Sequence, residues 1–395
     1  MSCYKTVTIG DVVDCAKTWS PLRSVPDDIF NYIDLSAIDQ DTKTIVGARK
    51  VVCGDAPSRA RQLVTKGDIL VATVRPNLNG VALVSEELDG STASTGFCVL
   101  RPRNNSIDGA YLFQWVKSPT FVKEMVKKAT GANYPAVSDR IIFESRIPLP
   151  SLEEQRQISA VLDRAEALKA KRRTALAHLD TLTQTILLDL FGDPGTNPKG
   201  FPLVELGEVL KVIGGYAFKS DDFSSEGKAV VRISNLDRDG IDLSDVARIP
   251  EAKLGKGAMF KVHPGDILIA MSGATTGKLG VVPLKCSEDL YQNQRVGNYR
   301  ITNAEMIQRD FLLGLLRSDF YQRFLWQLAW GAAQPNVSGG QLQSAVVPLP
   351  PLALQREFAR RIAAVEKLNA AHRASLAEMD GLFASLQHRA FRGEL

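Results

Sequence analysis

The sequence has few of the features that mark a secreted, membrane or metal-binding protein. Its five cysteines are scattered and form no Cys-x-x-Cys pair, so neither a disulfide framework nor a zinc ribbon is predicted. The first residues, MSCYKTVTIGDVVDC, lack the basic and then apolar pattern of a signal peptide. No apolar run approaches the ~18 residues that a membrane span needs. We expect a cytoplasmic protein with no membrane association and no metal site.

Catalytic motifs are also scarce. The histidines lie far apart in the chain, and no Asp/Asn-Pro-Pro-aromatic motif for adenine methylation is present. The segment SGATTGKL at 272–279 is similar to a phosphate-binding loop, GxxxxGK[ST]. However, Ser272 replaces the first glycine and Leu279 replaces the magnesium-binding hydroxyl. We therefore predict no catalytic residue and interpret the segment as a glycine-rich turn.

The charge balance does not single out a partner. The chain has 395 residues, 45% of them hydrophobic and 23% charged, with a formal net charge of +4. This composition is ordinary for a soluble globular protein, and the length suffices for two or three domains. A small excess of Lys and Arg is compatible with nucleic acid, but equally with a solvated surface.

The chain is a tandem duplication with a period of about 200 residues. Residues 67–84, GDILVATVRPNLNGVALV, recur as residues 265–282, GDILIAMSGATTGKLGVV. A Pro-Leu-Pro motif at 148–150 recurs at 348–350, and a Gln-Arg pair follows at the same distance in both copies. Because the matches keep one order and a nearly constant offset, each copy is expected to form the same structure.

Each copy is predicted to be an α+β globule followed by a long helix. Short β-type runs separated by Gly, Asn and Pro precede the Pro-Leu-Pro motif, and an amphipathic stretch follows them. Residues 152–191 contain no Pro or Gly and are rich in helix-forming residues, which predicts one continuous helix. The predicted domains are a globule at 1–150, a helix at 151–192, a linker at 193–200, a globule at 201–350 and a helix at 351–395.

An apolar stripe with alternating spacings of four and three runs along both long helices, as in a coiled coil. A helix of this length is ~60 Å long. A globule of about 150 residues cannot cover it, which favours helix pairing over packing of each helix on its own globule. The predicted interface consists of Val161, Ala165, Leu168, Arg172, Leu179, Leu182, Ile186, Val365, Leu368, His372, Met379, Leu382 and Leu386. The predicted fold class is an α+β tandem pseudo-two-fold repeat, with two globules joined by two long antiparallel coiled-coil helices.

A duplicated chain can imitate a dimeric DNA-binding protein, in which two surfaces contact two half-sites. Side chains of Arg, Lys, Asn, Gln, Ser and Tyr on loops can reach base edges and phosphates. The candidate DNA-binding residues are Arg75, Asn77, Asn79, Lys127, Lys128, Asn133, Tyr134, Ser138, Lys219, Ser220, Lys278, Gln334, Asn336 and Ser338. For each of them an ordinary loop or helix-cap role is an open alternative.

The paired motifs resemble those of the specificity (S) subunit of type I restriction-modification enzymes. The matching elements are Gly67–Leu70, Gly265–Leu268, Asn293–Val296 and both Pro-Leu-Pro-to-Gln-Arg junctions. The resemblance spans essentially the whole chain. It implies that the globules are target-recognition domains and the long helices are spacers. One departure is that Ala353-Leu354 replaces the Glu-Glu pair favoured by the family.

The resemblance implies a DNA sequence-specificity subunit that recognises a bipartite, asymmetric target in double-stranded DNA. It also implies two methyltransferase subunits as partners, which bind S-adenosylmethionine, and restriction subunits that use ATP and Mg²⁺. No cofactor is expected in this chain itself. One alternative is a non-catalytic coiled-coil adaptor that binds proteins rather than DNA. Another is a DNA-recognition chain that serves a different partner, and an enzyme is the third.

Lengthening the first helix tests whether its length sets the gap between the half-sites. Four residues inserted after Ala175 add about 6 Å of helix, close to two base-pair steps of about 3.4 Å. The insert is nearly one turn, so the apolar stripe re-forms with a local stutter. We expect methylation mapping to show unchanged half-sites and a gap longer by about one or two base pairs. An active variant with an unchanged gap would mean that another element measures the spacing.

Overall fold

The computed structural model describes residues 4–131, 133–237, 240–329 and 335–395. The contacts divide the chain into two compact units. Unit 1 comprises the described residues of Met1–Arg173 together with Ala374–Leu395, and unit 2 comprises those of Thr174–Arg373. Each unit therefore contains one globule and a half of each long helix. Among the described residues, no helix is long and apolar enough to cross a bilayer.

Unit 1 contains a four-stranded sheet, a five-stranded sheet and helices. Its strands are β1 (Thr6–Thr8), β2 (Val13–Cys15), β3 (Lys17–Thr18), β4 (Ile29–Ile33), β5 (Ile38–Asp39), β6 (Thr44–Ile45), β7 (Arg49–Val52), β8 (Ala60–Leu63), β9 (Ile69–Ala72), β10 (Val81–Leu83), β11 (Thr92–Ser94), β12 (Phe97–Pro102) and β13 (Arg146–Pro148). Its short helices are α1 (Gly109–Val116), α2 (Pro119–Lys128) and α3 (Asp139–Phe143). The sheet orders are β10-β9-β12-β2 and β3-β8-β11-β4-β7, and β1-β13 and β5-β6 form two smaller sheets.

Unit 2 repeats this plan, and the long helices connect to both units. The first long helix is α4 (Leu152–Phe191). The strands are β14 (Leu203–Glu205), β15 (Leu210–Gly214), β16 (Lys228–Val231), β17 (Leu236–Asp237), β18 (Gly240–Ile241), β19 (Ala247–Ile249), β20 (Lys261–Val262), β21 (Ile267–Ala270), β22 (Leu279–Val281), β23 (Leu290–Gln292), β24 (Val296–Ile301) and β25 (Val346–Pro348). The helices are α5 (Leu206–Val209), α6 (Arg309–Arg317), α7 (Asp319–Ala329), α8 (Gly339–Gln343) and α9 (Leu352–Ala390). The sheet orders are β15-β24-β21-β22, β19-β16-β23-β20, β14-β25 and β17-β18.

The repeated Gly-Asp-Ile-Leu motif forms the central strand of each globule. Gly67 has φ +86°, a left-handed conformation that glycine adopts without a Cβ clash. The Asp68 carboxylate accepts the Thr65 N–H at 2.8 Å and closes this turn. In the strand that follows, Ile69 belongs to the core beneath α1 and α2, whereas Leu70 belongs to the core between the two sheets. Because successive side chains point to opposite faces, this short apolar strand contributes to both cores.

The long helices α4 and α9 pair antiparallel within each unit. In unit 1, Leu162 shares a core with Phe391, and further along α4 the Lys169 Nζ atom lies 2.7 Å from Asp380 Oδ1. In unit 2, Arg361 lies 3.4 Å from Asp189, close to the end of α4. The bounds of α4 confirm the helix predicted at 152–191. Helix α9 confirms the second long helix, but it ends at Ala390, earlier than the predicted 351–395.

The predicted helix interface is wrong at five of its thirteen residues, which are exposed. The exposed ones are Val161, Leu168, Leu182, Leu368 and Leu382, with 38–59% of their surface accessible. The facing positions lie one residue later, and three of them are Lys169, Thr183 and Asn369. Because these are polar, the apolar pattern favoured their exposed neighbours. The remaining predicted residues are buried or half-buried: Ala165, Arg172, Leu179, Ile186, Val365, His372, Met379 and Leu386.

A buried glutamine connects each globule to its long helix. Gln155 accepts the Asp108 N–H at 2.8 Å and donates to the Pro150 carbonyl at 2.9 Å. Gln355 makes the same pair of contacts with the Gln308 N–H and the Pro350 carbonyl, both at 2.8 Å. Both side chains are 99–100% buried. The glutamine of the repeated junction therefore satisfies buried backbone groups where the chain enters the helix.

Replacing this glutamine should destabilise the junction. We expect Gln155→Ala to lower the free energy of unfolding by about 1–3 kcal/mol, because it leaves a partly buried N–H and a buried carbonyl unpaired. Denaturant unfolding measures the loss, and hydrogen exchange of the Asp108 amide localises it. The control is Gln157→Ala, an exposed glutamine on the same helix, for which we expect a change within ~0.5 kcal/mol. Equal effects of the two substitutions would contradict the assigned role.

Candidate nucleic-acid interface

Two loops that the sequence analysis treated separately meet in unit 1. The turn after β9 and the loop between α2 and α3 are joined by backbone hydrogen bonds. The Arg75 N–H donates to the Pro135 carbonyl at 2.7 Å, and the Val137 N–H donates to the Thr73 carbonyl at 2.9 Å. Candidate residues about 60 positions apart in the sequence therefore lie on one surface.

An arginine stacks on an exposed tyrosine at this junction. The Arg75 guanidinium carbon lies 4.9 Å from the ring centroid of Tyr134, which is 68% exposed. Asn77 and Asn133 are exposed in the same two loops. A stacked guanidinium keeps its planar donors available, and such donors match the edge of guanine or a phosphate. We name Arg75, Asn77, Asn133 and Tyr134 the unit 1 loop surface.

Three candidate residues have structural roles instead. Asn79 has φ +47°, and its amide donates to the Lys117 carbonyl at the end of α1, at 3.1 Å. Ser138 and Ser338 are the N-caps of α3 and α8, where each hydroxyl accepts a backbone N–H of the first turn. For these three side chains the structure supports the loop-and-cap alternative, because their hydrogen bonds are made within the fold.

Lys43 also contacts the turn after β9, and it was not among the candidate residues. Its ammonium donates to the Asn79 carbonyl at 2.6 Å. Burial, and then the nearby charge of Lys117, lower the pKa of Lys43. Lys43 has φ +59° and lies in a polar stretch of the chain. No pattern in the sequence indicates that it contacts Asn79. It follows that Lys43 holds the turn that presents Arg75.

The lysines of α2 lie in its last turn, where cations interact favourably with the helix dipole. Lys127 is exposed, whereas Lys128 pairs with Glu124 at 2.6 Å. In unit 2, Lys219 and Ser220 are exposed beside the acidic residues Asp221 and Asp222. Lys127 and Lys128 lie outside the two loops that form the unit 1 loop surface, and Lys219 and Ser220 lie outside the corresponding loops of unit 2.

Unit 2 brings together the corresponding loops. The Gly273 N–H donates to the Pro335 carbonyl at 3.0 Å, and the Val337 N–H donates to the Met271 carbonyl at 2.8 Å. These loops line an open cavity of about 410 Å³. Its lining residues are Met271, Ser272, Gln294, Arg295, Pro335 and Asn336. We name Ser272, Gln294, Arg295 and Asn336 the unit 2 loop surface.

The sequence analysis missed Gln294 and Arg295 as site residues. The Arg295 guanidinium donates to the Ser272 hydroxyl at 3.2 Å. A signal was available, because both residues directly precede β24, which pairs with the core strand β21. Of the predicted residues in this unit, Gln334 lies outside the described residues. Lys278 does not line this cavity; its ammonium lies 3.6 Å from Asp237 Oδ1.

Comparison with known proteins identifies one family. The model of the type I restriction modification DNA specificity domain matches residues 1–178 and 198–379. The chain is 27% identical over 381 residues to the type I restriction enzyme MjaVIII specificity subunit of Methanocaldococcus jannaschii, covering 92% of this chain and 86% of that protein. It is 24% identical over 401 residues to the EcoAI specificity subunit of Escherichia coli, covering 76% and 67%.

Solved structures agree with this assignment. A chain described under "Structural basis underlying complex assembly and conformational transition of the type I R-M system" superposes with a TM-score of 0.65 at 28% identity, covering 99% of this chain and 98% of that one. The S subunit from M. genitalium shares the fold, with a TM-score of 0.57 at 15% identity. Because the two matched segments together span most of the 395 residues, one in each copy of the repeat, the chain belongs to the type I restriction-modification DNA specificity family.

Proposed function

We propose that this chain is the DNA sequence-specificity subunit of a type I restriction-modification complex and recognises a bipartite, asymmetric target. The observation that carries the proposal is the presence of two loop surfaces on one repeated framework. The unit 1 loop surface presents Arg75 and Tyr134, whereas the unit 2 loop surface presents Arg295 and Asn336. A shared framework with different polar side chains is suited to two half-sites of different sequence.

The family membership disfavours the protein-binding adaptor. The two loop surfaces also fit DNA better than an apolar partner, since both combine guanidinium and amide groups at exposed positions. Such groups are typical of DNA interfaces, which are more polar than protein interfaces. Because the proposed ligand is the DNA of the cell, we propose a cytoplasmic location.

We assign the chemistry of the complex to partner subunits. In this proposal two methyltransferase subunits bind S-adenosylmethionine, restriction subunits use ATP and Mg²⁺, and this chain holds no cofactor and catalyses nothing. The hydrogen bonds of the SGATTGKL turn support this division. The N–H groups of Gly273, Gly277 and Lys278 donate to backbone carbonyls of the protein. A phosphate-binding loop needs such donors to point at the ligand.

Methylome sequencing of the host tests the function as a whole. We expect a methylated bipartite motif that is lost when the gene is deleted and restored by complementation. The purified chain alone should show no methyltransferase, nuclease or ATPase activity, since the proposal places all three in its partners. An unchanged methylome, or robust turnover by the isolated chain, would refute the proposal.

Arg75 provides a test of the unit 1 loop surface. In the assembled complex, Arg75→Ala should weaken binding to target DNA by roughly tenfold or more, the value of one bidentate base contact. The substitution should relax the base preference at one half-site and leave the base preference at the other unchanged. Binding is measured by titration at several salt concentrations, because phosphate contacts make affinity fall with ionic strength.

Lys66→Ala is the matched control. Lys66 lies at the opposite end of the core strand and pairs with Glu86 at 2.7 Å. We expect this variant to bind DNA like the unmodified complex. If the two substitutions had equal effects, Arg75 would contribute only to the general positive charge.

A further inference from the structure

One position of the loop surfaces lies just before the strand that pairs with the core strand. The Thr73 N–H donates to the Gly96 carbonyl in unit 1, and the Met271 N–H donates to the Arg295 carbonyl in unit 2, both at 2.9 Å. Each bond directly continues the pairing of the core strand with β12 or β24. Gly96 and Arg295 are therefore equivalent, and we name their place the strand position.

A second position lies in the turn after the core strand. The Arg75 N–H donates to the Pro135 carbonyl at 2.7 Å, and the Gly273 N–H donates to the Pro335 carbonyl at 3.0 Å. Arg75 and Gly273 are therefore equivalent as well, and we name their place the turn position. Unit 1 has arginine at the turn position and glycine at the strand position, whereas unit 2 has the reverse.

The turn position has a left-handed backbone in both units. Gly273 has φ +83°, which glycine adopts without a Cβ clash, but Arg75 has φ +51°. Residues other than glycine rarely adopt a positive φ, and those that do so under strain cluster at functional sites. The strained backbone at Arg75 therefore supports a functional role for its side chain.

One apolar side chain in each unit packs beside the glycine of this pair. A Cβ atom at Gly96 would lie 3.0 Å from the Leu35 side chain, so a larger residue there requires Leu35 to move. Ile233 begins a short 3₁₀ helix after β16, as Leu35 does after β4. A Cβ atom at Gly273 would lie 3.6 Å from Ile233, which is an ordinary contact distance. Unit 1 is thus packed for glycine at the strand position, whereas unit 2 has room for a side chain at the turn position.

The two arginines bring the same chemical group to the same turn. Arg295 belongs to the strand position, but its guanidinium donates to the hydroxyl of Ser272, directly before Gly273, at 3.2 Å. Arg75 belongs to the turn itself, and its guanidinium carbon lies 4.9 Å from the ring centroid of Tyr134. Both arginines are exposed. A guanidinium has five N–H donors, so one that donates once within the fold can still present a planar pair to a ligand.

We propose that Arg295 recognises a guanine in the half-site bound by unit 2, and that Arg75 recognises a guanine in the other half-site. This proposal rests on the proposed function of the chain. Two arginine N–H groups donating to O6 and N7 of guanine form the commonest base-specific contact in the major groove. The cavity of about 410 Å³ beside Arg295 leaves space for a base edge, and Gln294 and Asn336 also line it. Each half-site is therefore expected to contain a G·C base pair, contacted by the same group from two different chain positions.

Binding of target duplexes by the assembled complex tests Arg295. The bipartite target is obtained from the methylome, and each guanine in it is replaced in turn by 7-deazaguanine, which lacks the N7 acceptor. We expect one replacement in the unit 2 half-site to weaken binding about threefold or more. The Arg295→Ala complex should bind the unmodified duplex roughly tenfold more weakly and should not respond to that replacement. We expect the same pair of results for Arg75→Ala in the other half-site.

Moving the arginine tests whether the two positions are equivalent. Arg295→Gly alone should lose the dependence on guanine N7. Arg295→Gly combined with Gly273→Arg gives unit 2 the arrangement of unit 1, and it should regain a dependence on a guanine of the same half-site. Lys285→Ala is the control, because this exposed lysine follows β22 at the opposite end of the core strand and also removes one positive charge. Circular dichroism and assembly with the partner subunits show whether each variant is folded.

Three results would overturn this proposal and leave the proposed function intact. The first is a half-site without a G·C base pair. The second is an Arg295→Ala complex that binds all DNA sequences equally more weakly, with a smaller salt dependence, because that result assigns Arg295 to a phosphate. The third is a folded double variant that regains no dependence on guanine. A complex that binds DNA without any sequence preference would overturn the proposed function and this proposal together.

Discussion

The hydrogen bonds of one buried glutamine determine how each globule is attached to its helix. Gln155 and Gln355 each pair with the backbone N–H of a helix N-cap residue, Asp108 of α1 or Gln308 of α6, and with the last carbonyl of the Pro-Leu-Pro motif. A buried amide whose oxygen and nitrogen both have partners fixes those partners in position, because a shift of either one would leave polar groups unpaired. Since the same contacts occur in both units, the two globules meet their helices with the same local geometry.

In each unit the core strand then determines where the loop surface lies. Strands β9 and β21 contribute alternate side chains to two cores, so neither strand can slip by one residue without exchanging its faces. The turn that leaves each strand is tied to the loop before α3 or α8 by backbone hydrogen bonds. Backbone contacts do not depend on side-chain identity. The residues of the two loop surfaces, which we propose to face DNA, can therefore vary between the copies while the framework stays the same.

Features that depend on neighbouring residues could be predicted from the sequence, whereas contacts between residues far apart in the chain could not. Helix bounds depend on local signals, and the absence of Pro and Gly from 152–191 was sufficient to place α4. The face of each helix was harder to predict, because Lys169 and Asn369 occupy inward positions that an apolar pattern assigns to leucine. The stacking of Arg75 on Tyr134 joins loops about 60 residues apart. No local pattern encodes such a contact, and the same holds for the cap formed by Asn79.

The layer of the helix pair that contains Lys169 differs between the units, and it shows how the two copies of a duplicated chain can diverge. A buried lysine is tolerated in unit 1 because Asp380 and the ring of Phe383 compensate its lost hydration. At the equivalent positions of unit 2, 200 residues away, Asn369 replaces Lys169 and Thr183 replaces Phe383, so the ammonium and the ring are absent together. Without the aromatic face, a lysine at this position would have only a carboxylate to offset its lost hydration. The lysine and the phenylalanine contact each other in unit 1, so the duplicated chain has the interacting pair in one unit and neither member in the other.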